Sequence, residues 1–237
     1  MENIPVSIIT PIRDRSEMIK VFENNIKNTF ANYELIYVEQ DDDKLFMKGQ
    51  LINLGAKEAK HEVLVIHDVD ILHENTILIN KSIVEINKMI LPFTHIKQID
   101  PKTKKELQCD ERLFSFGGVQ IITKEFFNKI NGYSNLFYGW GGEDNDFAIR
   151  ARHIRYKNTI LHLFHGGLQY QKNKGSEHHN HNVLMLTTER AKESDGMKQT
   201  TAETTITRTK NKTIIKAKNI GVVDDFVYMN LIPKFIK

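Results

Sequence analysis

The stretch Val63-Leu64-Val65-Ile66-His67-Asp68-Val69-Asp70 leads from a short apolar run to two carboxylates. The apolar part is typical of a buried β-strand, because its residues are mostly β-branched. Side chains of an extended segment repeat every two residues, so Asp68 and Asp70 would point to the same side. Two carboxylates at a strand end suit a divalent cation with a diphosphate. Asp-x-Asp also occurs by chance, so this interpretation depends on the rest of the chain.

Two earlier runs, residues 6–10 and 33–39, are also predicted strands, and helical periodicity follows each of them. Strands that alternate with helices imply right-handed crossovers and a mostly parallel sheet. We therefore predict an α/β fold with a Rossmann-like central sheet, helices on both faces and a small C-terminal β extension. Ligands of such sheets lie beyond the carboxyl ends of the strands. Four charged residues fall there: Arg13, Arg15, Asp68 and Asp70.

The later part of the chain mixes helices, strands and polar loops. The predicted elements, in order, are a helix over 76–89, a hairpin or solvated loop over 97–110, a strand over 119–122, helices over 124–130 and 143–153, a strand over 159–165, a Gly-rich loop over 166–182, and strands over 204–207, 213–217 and 226–232. The composition of the 166–182 loop predicts mobility.

Composition places the chain among soluble globular proteins. Of 237 residues, 40% are hydrophobic and 27% are charged, and the net charge is +3 with a pI near 8.7. This small basic excess weakly favours an anionic partner such as a nucleotide or a membrane surface. Cys109 is the single cysteine, which excludes an intramolecular disulfide and favours a reducing compartment. Neither a signal peptide nor an apolar run of about 18 residues is visible, so we expect a cytoplasmic protein.

A second motif, Trp140-Gly141-Gly142-Glu143-Asp144-Asn145-Asp146, combines an aromatic ring, two glycines and three acids. An aromatic ring can cover the apolar face of a sugar while carboxylates accept its hydroxyl protons. An acid at a helix start also lies near the positive end of the helix dipole, which favours its ionised, base-competent form. The alternative is a plain turn followed by a helix with acids in its first turn.

Histidines supply further candidates. His162 and His165 follow a strand-like run and are possible ligands, although a lone histidine is more often structural. The cluster His178, His179 and His181 lies in the polar loop, and we do not assign it to a metal.

At this point the chain resembles the β-1,4-galactosyltransferases of glycosyltransferase family 7, which have the GT-A fold. The resemblance runs from about residue 6 to 197 and follows the family's motif order. The matching blocks are Pro11-Ile12-Arg13-Asp14-Arg15, Phe46 with Lys48 before Leu51-Ile52-Asn53-Leu54-Gly55, His67-Asp68-Val69-Asp70, Phe116-Gly117-Gly118-Val119, Asn131-Gly132-Tyr133, the run Tyr138-Gly139-Trp140 to Asp146, His165 and Ser194-Asp195-Gly196.

The resemblance implies one catalytic domain over residues 1–237: a nucleotide-binding half (1–95), an acceptor- and metal-binding half (111–200) and C-terminal strands (201–237). It assigns the donor site to Pro11, Arg13, Arg15, Phe46, Lys48, Asp68, Ser115, Gly118 and Trp140. It assigns the acceptor site to Trp140, Gly141, Gly142, Glu143 and Asp144. The metal ligands implied are Asp70, His165 and His162.

Two of these positions depart from the family. Lys48 stands where the family usually has Arg, which keeps the charge but loses the planar fork. His162 stands where many members have a Met ligand, so the metal preference would move from Mn²⁺ towards Mg²⁺ or other ions. The cysteines of the Golgi enzymes and an N-terminal anchor are missing, which fits a bacterial, cytoplasmic version.

The implied reaction is metal-dependent, inverting transfer from a UDP-sugar to a glycan or lipid-linked glycan, giving a β-linkage. Asp144 would be the base and Glu143 would orient the acceptor. Ser115, smaller than the Tyr common before Phe-Gly-Gly, favours UDP-N-acetylgalactosamine over UDP-galactose. We expect a role in bacterial surface polysaccharide or lipooligosaccharide synthesis, peripheral membrane association at the inner face, and no nucleic-acid partner. Three alternatives stay open: a retaining N-acetylgalactosaminyltransferase, a non-catalytic sugar-binding module and a nucleotidyltransferase.

Overall fold

The computed structural model describes residues 3–80, 85–111, 115–139, 141–163 and 195–222. Trp140, His165, the 166–182 loop and the predicted strand at 226–232 lie outside these ranges, and so do the histidines at 178, 179 and 181. Within them no helix is both long enough and apolar enough to cross a bilayer.

The helices and strands follow one another in mixed order. The strands are β1 (Val6–Ile12), β2 (Tyr33–Gln40), β3 (Val63–His67), β4 (Ile71–His73), β5 (Met89–Leu91), β6 (His95–Ile99), β7 (Glu106–Glu111), β8 (Val119–Thr123), β9 (His153–Arg155), β10 (Thr159–Leu163), β11 (Thr200–Arg208) and β12 (Lys212–Val222). The helices are α1 (Ser16–Thr29), α2 (Lys48–Glu58), α3 (Lys124–Lys129) and α4 (Glu143–Ala151).

The central sheet has eight strands in the order β11-β12-β2-β1-β3-β8-β5-β9. Strands β12, β2, β1 and β3 run parallel to one another, and β5 runs parallel to β9. The antiparallel pairs are β11 with β12, β3 with β8, and β8 with β5. The parallel part confirms the expected architecture and aligns the carboxyl ends of β1, β2 and β3. A second sheet has four strands in the order β4-β10-β6-β7, and its strand β4 follows β3 in the chain.

The two long helices cover opposite faces of the parallel strands. Phe22 of α1 meets Tyr37 of β2 with ring centroids 6.2 Å apart. A β-carbon on Gly55 of α2 would instead collide with Ile9 and with Val38, the neighbour of Tyr37. Because adjacent strand residues point to opposite faces, α1 and α2 must sandwich the sheet. The buried core therefore holds the strand ends, and their loops, in fixed positions.

Two predicted elements differ from the structure. The described parts of the predicted helix over 76–89 are not helical, and Met89 belongs to β5. The Ile77 amide donates to the Thr29 carbonyl, and the Ile79 carbonyl accepts from Ile4, so tertiary partners replace helical hydrogen bonds. The C-terminal strands β11 and β12 are longer than predicted. They are part of the central sheet, because β12 pairs with β2.

Candidate active site

The turn between β3 and β4 carries the two predicted acidic residues. The Asp68 amide donates to the Gly118 carbonyl at 2.8 Å, and the Asp70 carbonyl accepts from the Leu163 amide at 2.8 Å. Gly118 has a φ of 93°, a conformation that favours glycine. The turn is thus hydrogen-bonded to Gly118, directly before β8, and to Leu163, at the end of β10.

Two buried histidines, His67 and His73, lie on either side of this turn and contact each other. His67 Nε2 lies 2.8 Å from His73 Nε2, and His67 Nδ1 lies 2.9 Å from the Asp68 carbonyl. Since that carbonyl can only accept, His67 carries its proton on Nδ1 and His73 donates from Nε2. Burial lowers the pKa of His67 to about 4 and that of His73 well below its usual value, so both rings are neutral. Sequence inspection gave no role to this pair.

The predicted metal ligands that the structure describes face each other. His162 Nε2 lies 3.7 Å from Asp70 Oδ2, and the two side chains are 27% and 18% exposed. Carboxylate and imidazole together suit a borderline divalent transition metal. In the described part of the chain no group of three or more such ligands forms, and His165, the third predicted ligand, lies outside it.

The second motif begins a helix as predicted. Gly139, Gly141 and Gly142 all have positive φ angles, and α4 starts at Glu143. Its buried face is fixed by Phe147, which stacks on Tyr133 with ring centroids 4.2 Å apart. These contacts hold the first turn of the helix, and hence Glu143 and Asp144, against the sheet.

Three residues from separate parts of the chain contact the carboxylate of Asp144. Gln120 Nε2 donates to Oδ1 at 3.2 Å. Tyr133 Oη lies 3.0 Å from the same oxygen and 2.5 Å from Gln120 Oε1, and its single proton serves these two acceptors. Lys48 Nζ donates to Oδ2 at 2.8 Å. These contacts fix the orientation of the carboxylate.

Lys48 lies among three acids. Its Nζ is 3.0 Å from Asp68 Oδ2 and 3.9 Å from Glu143 Oε1, in addition to the contact with Asp144, and its side chain is 12% exposed. Burial disfavours the ammonium, but the neighbouring carboxylates outweigh burial and raise the pKa of Lys48 well above its usual value. The residue whose role the sequence left uncertain therefore joins the donor-side aspartate to the predicted base.

One ammonium cannot neutralise three carboxylates, and the remaining acids retain protons more readily. Burial, and then the charge of Asp144, raises the pKa of Glu143 to about 8. Burial also raises the pKa of Asp68 to about 6, against the opposing effect of Lys48. The helix dipole was expected to favour ionised acids at this helix start. At Glu143 that expectation is wrong, because desolvation in a crowded site outweighs the dipole.

The predicted donor-binding residues lie around the same edge. Pro11 is buried, and Arg13 donates to the Lys44 carbonyl and Arg15 to the Asp14 carbonyl at 3.0 Å. The half-buried Phe46 accepts a hydrogen bond at its carbonyl from the Gly139 amide at 2.9 Å. The loop that carries Phe46 is thus hydrogen-bonded to the segment that precedes the acid motif.

Ser115 is half-buried, and its carbonyl accepts from Arg155 Nη2 at 2.6 Å. The Arg155 guanidinium also lies over the rings of Phe93 and Phe116, 5.8 and 5.2 Å from their centroids. These contacts hold the backbone of Ser115 without using its side chain.

Asp195 and Gly196 of the last matching block dock on the segment before the acid motif. Asp195 accepts from Ser134 Oγ at 2.5 Å and from the Asn135 amide at 2.8 Å. The Gly196 carbonyl accepts from Asn135 Nδ2 at 2.7 Å. This block therefore supports the position of the site from outside and does not line it.

The structure thus brings together Lys48, Asp68, Glu143 and Asp144, and separately Asp70 and His162. Sequence reasoning missed Gln120 and gave Tyr133 no role, although both contact Asp144. Tyr133 stood in a quoted motif, whereas nothing in the sequence around Gln120 distinguished it from other strand residues. Among the residues that the structure describes, and apart from the chain neighbours of Gly141, no atom lies within 4 Å of the position of a β-carbon on Gly141.

Comparison with solved structures defines the class of protein. The catalytic domain of Drosophila β-1,4-galactosyltransferase 7, crystallised with xylobiose, superimposes with a TM-score of 0.62 at 19% identity, covering 95% of this chain and 97% of that one. GalNAc-T7, solved with UDP, GalNAc and Mn²⁺, gives a TM-score of 0.51 at 12% identity over 68% of this chain and 44% of its own. The fold is that of the GT-A glycosyltransferases.

Sequence comparison then gives the family. Residues 2–81 match the N-terminal region of glycosyl transferase group 7, and residues 104–181 match a model described as the N-terminal domain of galactosyltransferase. β-1,4-Galactosyltransferase 3 of Cricetulus griseus is 26% identical over 82% of this chain and 50% of its own length. Human β-1,4-galactosyltransferase 6 is 31% identical over 65% of this chain and 40% of its own. The chain belongs to glycosyltransferase family 7, and it spans half or less of the length of these relatives.

Proposed function

We propose that this protein is a metal-dependent inverting glycosyltransferase. It moves N-acetylgalactosamine or galactose from a UDP-sugar to a hydroxyl of a glycan and forms a β-linkage. The observation that carries the proposal is the Asp144 carboxylate, which Tyr133, Gln120 and Lys48 fix beside the Asp68 turn. Further support comes from the relatives' names and from a structure of a Drosophila β-1,4-galactosyltransferase 7 mutant that contains manganese, UDP-Gal and xylobiose.

The residues present fit a divalent metal. Asp70 and His162 would hold it, with His165 as a further ligand, because these side chains offer the oxygen and imidazole donors that Mn²⁺ accepts. When bound, such an ion neutralises the negative charge of a diphosphate leaving group. Asp68, two residues before Asp70 in the same turn, would lie beside the ribose of the UDP-sugar.

Asp144 is the proposed general base. The acceptor O–H gives its proton to the carboxylate as its oxygen bonds to the anomeric carbon. The bond from that carbon to the diphosphate oxygen breaks, and UDP leaves with the electron pair. A single displacement inverts the anomeric centre, so an α-linked donor gives a β-linked product. Glu143, protonated in the ligand-free site, would donate a hydrogen bond to the acceptor sugar.

The donor is proposed to be UDP-N-acetylgalactosamine in preference to UDP-galactose. A serine hydroxyl at 115 occupies far less space than a tyrosine ring and can hydrogen-bond an acetamido group. The Arg155 contacts support this proposal because they leave the Ser115 side chain uninvolved. The acceptor is proposed to be a glycan, free or lipid-linked, in bacterial surface polysaccharide assembly at the inner face of the membrane. The single cysteine fits such a reducing compartment.

Asp144→Asn tests the proposal. The variant should lose transfer by about 10² to 10⁴-fold, the usual contribution of a general base, and should bind UDP with Mn²⁺ at least as well as wild type. UDP release would be measured over a panel of acceptors and UDP-sugars, and the anomeric coupling constant of the product by NMR. Near-normal turnover in the variant would remove Asp144 from this role. Retention of configuration would replace the mechanism, and UDP release that ignores acceptor and metal would favour a binding module.

A further inference from the structure

Lys48 is the shared partner of two carboxylates with different proposed tasks. Its ammonium lies 2.8 Å from Asp144 Oδ2, the base, and 3.0 Å from Asp68 Oδ2, on the donor side. The three side chains come from α2, the β3–β4 turn and α4, so the contact joins three separate parts of the fold. Glu143 lies farther from the ammonium, at 3.9 Å.

The ion pair occupies the oxygen that a base needs. Oδ1 of Asp144 already accepts from Gln120 Nε2 and lies beside Tyr133 Oη, whose single proton is shared between that oxygen and Gln120 Oε1. Oδ2 accepts from Lys48 and packs so closely on Gly117 that a β-carbon there would overlap it. The oxygen left to meet an acceptor hydroxyl is Oδ2, and Lys48 already donates to that oxygen. In this arrangement the ammonium of Lys48 occupies the oxygen that the proposed base would use.

The flexibility of a lysine side chain allows the Lys48 ammonium to change partners. A lysine ammonium is a point charge on a flexible four-carbon stem, whereas an arginine fork is rigid and suited to one bidentate partner. A UDP-sugar whose ribose lies beside Asp68 would bring its diphosphate close to Lys48, and phosphate oxygens are good partners for lysine. Lys48 Nζ already contacts the donor side, since it lies 3.0 Å from Asp68 as well as 2.8 Å from Asp144.

We propose that Lys48 exchanges partners during the reaction: it holds Asp144 in the donor-free protein and passes to the diphosphate when the donor binds. Asp144 then loses its contact with Lys48, and can accept the proton of the acceptor hydroxyl, only when a donor is bound. This inference rests on the proposed function, since it needs a UDP-sugar at the Asp68 edge.

A double-mutant cycle in UDP binding tests the exchange. UDP would be titrated with Mn²⁺ by calorimetry into wild type, Asp144→Asn, Lys48→Met and the double variant. If Lys48 must leave Asp144 to reach the diphosphate, Asp144→Asn should bind UDP at least about threefold more tightly, because pairs in contact couple measurably. In the Lys48→Met background the same Asp144 substitution should change affinity by less than about twofold.

Two results overturn the exchange. Unchanged affinity in Asp144→Asn would show that the ion pair does not compete with UDP. An equal gain with and without Lys48 would show simple repulsion between Asp144 and the diphosphate. If wild type itself fails to bind UDP with Mn²⁺, the proposed function fails and the exchange with it. Should Lys48→Met not fold, Lys48→Gln replaces it in the cycle, since it removes the charge but can still donate to Asp144.

Discussion

Gly117 lies against the carboxylate of Asp144, so closely that a β-carbon at position 117 would overlap Oδ2. Gly117 does not have the positive φ that would itself demand glycine. The need for glycine at this position therefore comes from the space that the proposed base occupies.

Gly117→Ala should reduce transfer by about 10-fold or more while the protein stays folded, because a displacement of about 1 Å at a reacting group can cost 10²-fold. Turnover and thermal unfolding would be measured together. Gly221→Ala is the matched control, since that glycine also lacks positive φ and the nearest atom to its added carbon is 3.9 Å away. Equal turnover in the two variants would contradict this reading of Gly117.

Asp70→Ala should abolish the Mn²⁺-dependent part of UDP binding, because it removes the carboxylate that faces His162. His162→Met should move the metal preference towards Mn²⁺, since a thioether is softer than an imidazole. Calorimetry with Mn²⁺ and with Mg²⁺ measures both effects. His61→Asn serves as the control and should leave both affinities unchanged, because His61 lies two residues before β3, at the end of the strand opposite to the acidic turn. An unchanged metal profile in His162→Met would exclude that residue as a ligand.

Ser115→Tyr should shift the ratio of kcat/KM for the two UDP-sugars towards UDP-galactose by at least tenfold, within the roughly 10- to 200-fold that one group in a pocket can contribute. The Arg155 contact is to the Ser115 carbonyl, so the substitution leaves it in place. Ser115→Ala keeps the space and should keep the preference for the acetamido sugar. If wild type strongly prefers UDP-galactose and Ser115→Tyr has the same ratio, donor selection does not depend on this position.

Glu143 should make stability depend on pH. Its pKa is about 8 in the folded protein, above the ordinary value of 4.5, so the folded state binds the proton more tightly. The stability it contributes is complete below pH 4.5 and is lost as pH rises to 8. Glu143→Gln mimics the protonated acid, so its melting temperature should match wild type near pH 5 and exceed it near pH 8. A constant difference between the two proteins across this range would show that Glu143 does not titrate there.

The fold was predictable where the signals are local. The buried strands β1, β2 and β3 and the start of α4 follow from apolar runs, glycines and acids within single stretches of about ten residues. The predicted helix over 76–89 failed because Ile77 and Ile79 satisfy their backbone groups with distant residues. The acids of the site were also predicted, but the ion pair from Lys48 to Asp144 was not. It joins residues 96 positions apart, and no local pattern reports such a contact.

That separation also bears on how the protein is made. Strands β1, β2 and β3 can pair as soon as the first third of the chain has left the ribosome, because they are neighbours in the sheet. The outer edge of β2, however, waits for β12, near the end of the described chain. An unpaired edge is a template for joining another molecule. A nascent chain therefore carries its Asp68 turn early, but Lys48 cannot contact Asp144 until α4 is synthesised. The edge of β2 stays unpaired until β12 is synthesised, so this strand needs protection from intermolecular pairing for the longest time.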